Sequence, residues 1–350
     1  MIIEKTPNYT VAINGNIKTF KSPNANYLFN MDNGFTITWG KNRNEDPEFF
    51  PVPEILDLEI TTKCTGGCPQ CYKSNTCEGE NMSFDTFKRI FDILPKSLTQ
   101  IAFGADYDLS ANPDIWKMMD YARKNNVIPN VTTVYVDDET ADNLAKYCGA
   151  VAISLHPHLK DAFNICYDSI KRLTDRGMTQ INIHAVLEEE TYQDTLKLFR
   201  DRLTDPRLAK LNAIVCLSLK QKGRGINRKR LSQEKLNDLV KFAIDNNISI
   251  GFDTCSAKKA FMAFNNNPEV KNMITACEAT LESSYISAEG EYFPCSFCEG
   301  VEGWEEGINV LNLKNSEDFI NNVWNNPKTQ KFRENLLRCR SCRSCPVYEI

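Results

Sequence analysis

Cys64, Cys68 and Cys71 stand in the stretch Thr61-Thr-Lys-Cys-Thr-Gly-Gly-Cys-Pro-Gln-Cys-Tyr72, at C-x3-C-x2-C spacing. Three thiolates on a short loop can hold three irons of a cubane cluster. The fourth iron is then open to a substrate or cofactor. Electron-carrying clusters usually take four Cys ligands, so a three-Cys loop is the arrangement of a reactive cluster. Gly66 and Gly67 allow the backbone to wrap closely around such a centre. The same trio also suits a zinc knuckle, or three ordinary buried thiols.

A second set lies far along the chain: Cys255, Cys277, Cys295, Cys298, Cys339, Cys342 and Cys345. In all there are 14 cysteines and no secretory signal, which argues for metal or redox chemistry over a disulfide framework. Cys148, Cys166 and Cys216 sit in apolar surroundings and read as small buried hydrophobes. With only 3 histidines, a His-rich metal site is disfavoured. Cys277 and Cys295 bracket Gly290 as C-x12-G-x4-C, and Ala288-Glu-Gly-Glu-Tyr292 reads as a hairpin turn that brings the two thiols together. Cys295-x2-Cys298 with Cys339-x2-Cys342 would equally make a four-thiolate zinc ribbon.

The elements that must carry these residues alternate. Strands are expected at Ile55–Ile60, Gln100–Gly104, Ile128–Val136, Ala150–His156, Ile181–Leu187, Leu211–Leu219 and Ile248–Asp253. Helices are expected between them, at Ser83–Leu94, Pro113–Lys124, Asp138–Tyr147, Asp161–Arg176, Thr191–Leu203 and Ser232–Asn246, with Ser83 and Ser232 as N-caps. Such repeats imply parallel βαβ units, in an open sheet or an incompletely closed barrel. Ligands gather at the carboxyl ends of such strands, where the trio lies. Residues 1–52 read as short hairpin strands around Asn14-Gly15 and Asp32-Asn33-Gly34. Beyond Asp253 regular periodicity fades, and residues 255–350 read as a small metal-dependent domain.

With C-x3-C-x2-C after a first strand, the chain resembles the radical S-adenosylmethionine (SAM) enzymes, although Gln70 stands where that family usually has an aromatic. The resemblance implies a partial (β/α)6 barrel over 53–254. It implies a [4Fe-4S] cluster whose open iron binds SAM, and cleavage of SAM to a 5′-deoxyadenosyl radical that abstracts a substrate hydrogen. Gly104-Ala105-Asp106 takes the place of a Gly-Gly-Glu-like motif that binds the methionyl amino group. Ser154 stands where relatives contact the ribose. Lys220 or Arg224, in Lys220-Gln-Lys-Gly-Arg-Gly225, would pair with the SAM carboxylate. The C-terminal set resembles SPASM and Twitch extensions, the Twitch-like single auxiliary [4Fe-4S] cluster being the better match. Its ligands would be Cys277, Cys295 and two of Cys339, Cys342 and Cys345. Cys255 would be a further ligand, a hydrogen-atom donor to the substrate radical, or a plain strand-end thiol.

Alternation puts Asn182 and His184 on one strand face, and His156 and His158 follow Ser154 at the same mouth. Hydrophobic content of 42% supports a sizeable core, and a net charge of −5 gives no support to a nucleic-acid substrate. No stretch has the apolar length of a membrane span, and a cytoplasmic protein is expected. The resemblance implies a peptide or protein substrate and an external electron donor of flavodoxin or ferredoxin type. The other readings are a small-molecule dehydrogenase, or a non-enzymatic zinc or iron–sulfur protein.

Overall fold

The computed structural model describes residues 1–104, 107–264, 267–339 and 343–348. Strands β1 (Ile2–Lys5), β2 (Thr10–Asn14), β3 (Ile17–Lys21), β4 (Asn26–Asn30) and β5 (Thr36–Trp39) form an antiparallel meander in that order. The Asn14-Gly15 hairpin forms as its sequence predicts, with Gly15 at φ 60°. β1 is not apparent from sequence: Ile2-Ile-Glu-Lys5 lacks alternation and is a strand because β2 offers it a partner.

The buried face of the meander carries Tyr9, Val11, Phe20, Tyr27 and Phe29, packed with Phe50, Val52 and Ile128. The ring of Phe20 stacks on Tyr9 at 5.2 Å and on Tyr27 at 5.4 Å. Lys18 is fully buried and donates to the carbonyls of Leu98 and Asn126, both just ahead of parallel strands. The meander thus covers the amino ends of those strands, opposite the cysteine loop.

Seven parallel strands then follow: β6 (Ile55–Glu59), β7 (Gln100–Gly104), β8 (Ile128–Thr133), β9 (Ala150–Ser154), β10 (Ile181–Leu187), β11 (Ala213–Ser218) and β12 (Ile250–Phe252). Six helices alternate with them: α1 (Phe84–Asp92), α2 (Ile115–Lys124), α3 (Asp138–Tyr147), α4 (Ala162–Asp175), α5 (Tyr192–Thr204) and α6 (Gln233–Asp245). Ser83 and Ser232 cap α1 and α6, accepting from the backbone N–H of Thr86 and Lys235. The pleat sorts β10: Ile181, Ile183, Ala185 and Leu187 are buried, while Asn182, His184 and Val186 on the other face are only partly so. Cys148, Cys166 and Cys216 are buried in the core.

β13 (Ser283–Ile286) pairs in parallel with β6, and β14 (Glu291–Phe293) and β15 (Ile308–Asn309) extend the edge antiparallel. The result is one mixed ten-stranded sheet, β12 to β6 followed by β13, β14 and β15, which resembles a partial barrel. The cysteine-rich C-terminal segment therefore starts alongside the strand that delivers the trio. Its two longest helices are Ala257–Ala263 and Pro327–Cys339. In the second, Thr329 and Arg333 lie on the buried side, which erases the apolar period. The Arg333 guanidinium is accommodated by the carbonyls of Thr280 at 2.6 Å and Trp324 at 3.0 Å, and by the Trp324 ring.

The base of the barrel has a pH signature. Burial and Glu282 push the Glu54 carboxyl up to about 8, and burial does the same for Glu278. Burial and Lys96 bring the Lys18 ammonium down to about 7. A carboxyl raised in the fold contributes stability below its unfolded pKa and loses it as pH rises through the folded value. Lys18 contributes the opposite slope, but only above about 7. The two imidazoles that burial lowers to about 4, His156 and His184, contribute the opposite slope below about pH 6.5, so the carboxyl is read by difference: the melting temperature of Glu54→Gln relative to wild type should rise between pH 5 and 7, by roughly 5 °C. Paired thermal melts across this range check it, and a difference that does not change with pH would contradict it.

Candidate active site

The loop after β6 leaves the carboxyl edge of the sheet and is pinned by its own backbone. Cys64 N–H donates to Thr76 O at 2.8 Å, and Cys71 N–H to Cys68 O at 3.2 Å. A Cβ on Gly66 would lie 3.5 Å from both the Cys64 and the Cys68 Sγ, so bare backbone lines the space between these thiols. Burial, then the charges of Cys64 and Cys71, push the Cys68 thiol up to about 12. A buried thiol whose ionisation two neighbouring cysteines oppose fits a cationic metal centre, whose binding displaces its proton.

The segment after β11 holds the loop from beneath. The Arg224 N–H donates to Cys71 O, its Nε to Cys68 O and its Nη1 to Asn75 O, each at 2.9 Å. Its Nη2 is buried without a hydrogen-bond partner among the described residues. Arg224 therefore grips the cysteine loop. Lys220 turns elsewhere: it pairs with Asp253 and lies 4.4 Å from the centre of the Phe297 ring. Burial opposes its charge, but Asp253 and Cys255 hold the ammonium above its ordinary value.

A cavity of about 410 Å³ opens beside the thiols, lined by Cys64, Cys68 and Cys71 together with Gly104, Ser154 and His156. That volume is in the range of small-molecule sites. Ala105 and Asp106 lie outside the described residues. Val186 of β10 reaches the cavity, whereas Asn182, at the amino end of that strand, accepts from Asn212 Nδ2 at 2.9 Å in an exposed contact. Burial brings the His184 imidazole down to about 4, against the pull of Asp253. His156 Nδ1 is 3.2 Å from Cys68 Sγ, and His158 Nε2 is 2.9 Å from Gly66 O. Among the described residues, Cys68, His156 and His158 are also the group whose ligand atoms converge within 4.8 Å, close enough for a single metal ion.

Further residues line this cavity that the cysteine pattern does not reveal. Asp57 lines the lumen and is accessible from it, yet its carboxyl sits deep enough in the protein that burial raises it to about 6. Glu59 pairs with Lys73 at 3.2 Å and accepts from the Tyr285 hydroxyl at 3.1 Å. Lys73 donates to that hydroxyl at 2.9 Å and pairs with Glu299. Burial raises the Glu59 carboxyl, opposed by Lys73. This buried network ties β6 and the cysteine loop to β13 and to the segment after Cys298. Asp57 and Glu59 were legible as the polar face of a strand whose other face is Leu56 and Leu58. Lys73 and Tyr285 carried no such signal.

The second thiol set also converges. Cys295 Sγ is 3.5 Å from Cys298 Sγ. The charges of Cys295, Cys255 and Cys345 each raise the Cys277 thiol, after burial. Burial raises Cys255 to about 12, with Lys220 opposing and Cys295 and Cys345 adding to it. Cys345 Sγ accepts from the N–H groups of Val347 and Tyr348, both at 3.4 Å. Cys339 ends its helix, and Cys342 lies outside the described residues. The hairpin expected between Cys277 and Cys295 forms, with Gly290 at φ 80° in its turn. Phe297, between Cys295 and Cys298, meets Tyr72 of the first cysteine loop at 4.4 Å.

Comparison with known proteins agrees with this arrangement. The SPASM family, an iron-sulfur cluster-binding domain, matches residues 277–346. The chain is similar to SuiB of Streptococcus suis bound to the precursor peptide SuiA, with a TM-score of 0.70 and 15% identity over 97% of this chain and 94% of that one. It is also similar to SuiB bound to S-adenosylmethionine, with a TM-score of 0.67 and 15% identity over 93% and 90% of the two chains. No curated protein matches the sequence. Among the described residues no helix is long and apolar enough to cross a membrane.

Proposed function

We propose that this chain, which has the radical SAM fold and a C-terminal SPASM domain, is a radical SAM enzyme that modifies a peptide. The observation that carries the reading is the convergence of Cys64, Cys68 and Cys71 on one wall of a cavity at the carboxyl end of β6. These three would hold a [4Fe-4S] cluster with one iron open to SAM. Bound together, cluster and SAM supply reductive cleavage to a 5′-deoxyadenosyl radical that abstracts a substrate hydrogen.

The chain's own residues prepare that event. Gly104 offers backbone to the methionyl end, with Ala105 and Asp106 next to it. Ser154 offers its hydroxyl to the ribose. Arg224 holds the thiols in place through the loop carbonyls, and its buried Nη2 has no hydrogen-bond partner among the described residues. Lys220, neutralised by Asp253, stands beside Cys255. We assign the auxiliary [4Fe-4S] cluster to Cys277 and Cys295 with two further thiols of this C-terminal set; Cys255, Cys298 and Cys345 are the described thiols whose contacts or charges reach that pair.

The likeness to SuiB over nearly the whole chain supports a peptide substrate. Electrons would come from a flavodoxin or ferredoxin in the cytoplasm. Anaerobic reconstitution tests the reading: about eight irons per chain are expected for two cubanes, with 5′-deoxyadenosine formed from SAM and a reductant. Iron far below one cluster per chain, with zinc held instead by Cys68, His156 and His158, would sink it.

A further inference from the structure

We infer that His156 is a positioning residue for the catalytic cluster: its Nδ1–H donates a hydrogen bond to the Cys68 sulfur and raises the cluster's reduction potential. This rests on the cluster assignment made above. The geometry selects one ring nitrogen, since Nδ1 lies 3.2 Å from Cys68 Sγ and Nε2 lies 4.0 Å from it. A metal-bound thiolate carries no proton, so the imidazole must be the donor.

The ring is aimed by its surroundings. β9 ends at Ser154, and Leu155 N–H donates to His184 O at 2.9 Å, which continues the ladder up to the histidine. Pro157 then stiffens the turn. His158 Nε2 contacts Gly66 O at 2.9 Å, and a carbonyl only accepts, so that nitrogen carries its hydrogen. The two rings are 5.6 Å apart. Two histidines on one short segment thus hold the cysteine loop at two points, one on backbone and one on a thiol. Hydrogen bonds to cluster sulfurs favour the reduced, more negative cluster.

The test is an EPR-monitored redox titration of reconstituted wild type, His156→Phe and His156→Gln, following the signal that changes when SAM is added. His156→Phe should lower the reduced-to-oxidised ratio at a fixed potential about tenfold, which is about 59 mV for a one-electron couple. His156→Gln keeps an N–H donor and should recover part of that. His158→Ala, which removes only the backbone contact, should leave the potential near wild type. Histidine labelled with nitrogen-15 should give a weak nuclear coupling in the reduced wild type that His156→Phe loses.

Equal potentials in wild type and in whichever His156 variants load full iron and sulfide would overturn the proposal. So would a strong nitrogen coupling, which signals an Fe–N bond. If His156→Phe does not load, His156→Gln and the labelled wild type still decide. Failure of the underlying reading looks different: the wild type itself would hold no SAM-responsive cluster.

Discussion

Changing any one of Cys64, Cys68 or Cys71 to alanine is expected to abolish formation of 5′-deoxyadenosine from SAM while leaving roughly half the iron on the chain. On the proposed reading the trio supplies every protein ligand of one centre, so two remaining thiols would not keep it. Alanine also removes one of the charges that make the loop attractive to metal. The second thiol set would keep its own cluster, because Cys277 and Cys295 flank the β13–β14 hairpin and Cys345 lies beyond the last helix, all outside this loop. Cys277→Ala should show the reverse loss of iron. It should also lower thermal stability, since metal-binding energy is folding energy for such a segment. Iron and sulfide analysis beside chromatographic detection of 5′-deoxyadenosine separates the cases. Retained SAM cleavage in all three variants would falsify the site assignment.

Gly223→Val should be almost as damaging, although Gly223 offers no ligand atom and does not line the cavity beside the thiols. Its φ is 56°, and a Cβ there would meet Tyr72 O at 2.5 Å and Cys71 O at 2.7 Å. A left-handed backbone costs an ordinary residue about 1–2 kcal/mol. Overlap with a packed neighbour adds about 1–3 kcal/mol. Both contacts are backbone carbonyls of the last ligand and the residue after it, so relief must come by moving the cysteine loop. The same movement breaks the Arg224 contacts to Cys68 and Cys71. Occupancy of the catalytic cluster should fall about tenfold or more, while circular dichroism and the auxiliary iron change little. A Gly223→Val protein that loads and cleaves SAM like wild type would show that this packing does not govern the loop.

Gly223 and Arg224 also show how far the sequence can be read. Gly-Arg-Gly after the sixth expected strand marks the right place, but an arginine near an anionic cofactor invites an ion-pair role. Two of the Arg224 side-chain N–H groups are spent on loop carbonyls, and no local pattern carries that information. The same holds for Lys220, whose partner Asp253 comes from the next strand over.

What the sequence by itself determined was everything governed by short-range periods and fixed spacing. Seven strands and six helices between Ile55 and Phe252 follow from two-residue and 3.6-residue patterns and from Ser caps, each a property of adjacent residues. The C-x3-C-x2-C loop and the Cys277-Gly290-Cys295 hairpin are equally local. Only the tertiary structure decided which distant segments meet. The parallel pairing of β13 with β6 has no sequence signature, because parallel neighbours share no turn. That pairing brings Tyr285 and Glu299 to Glu59 and Lys73, and the second thiol set to the first. The Cys68–His156 contact likewise depends on how β6 and β9 face one lumen, which is a consequence of sheet curvature and not of either strand alone.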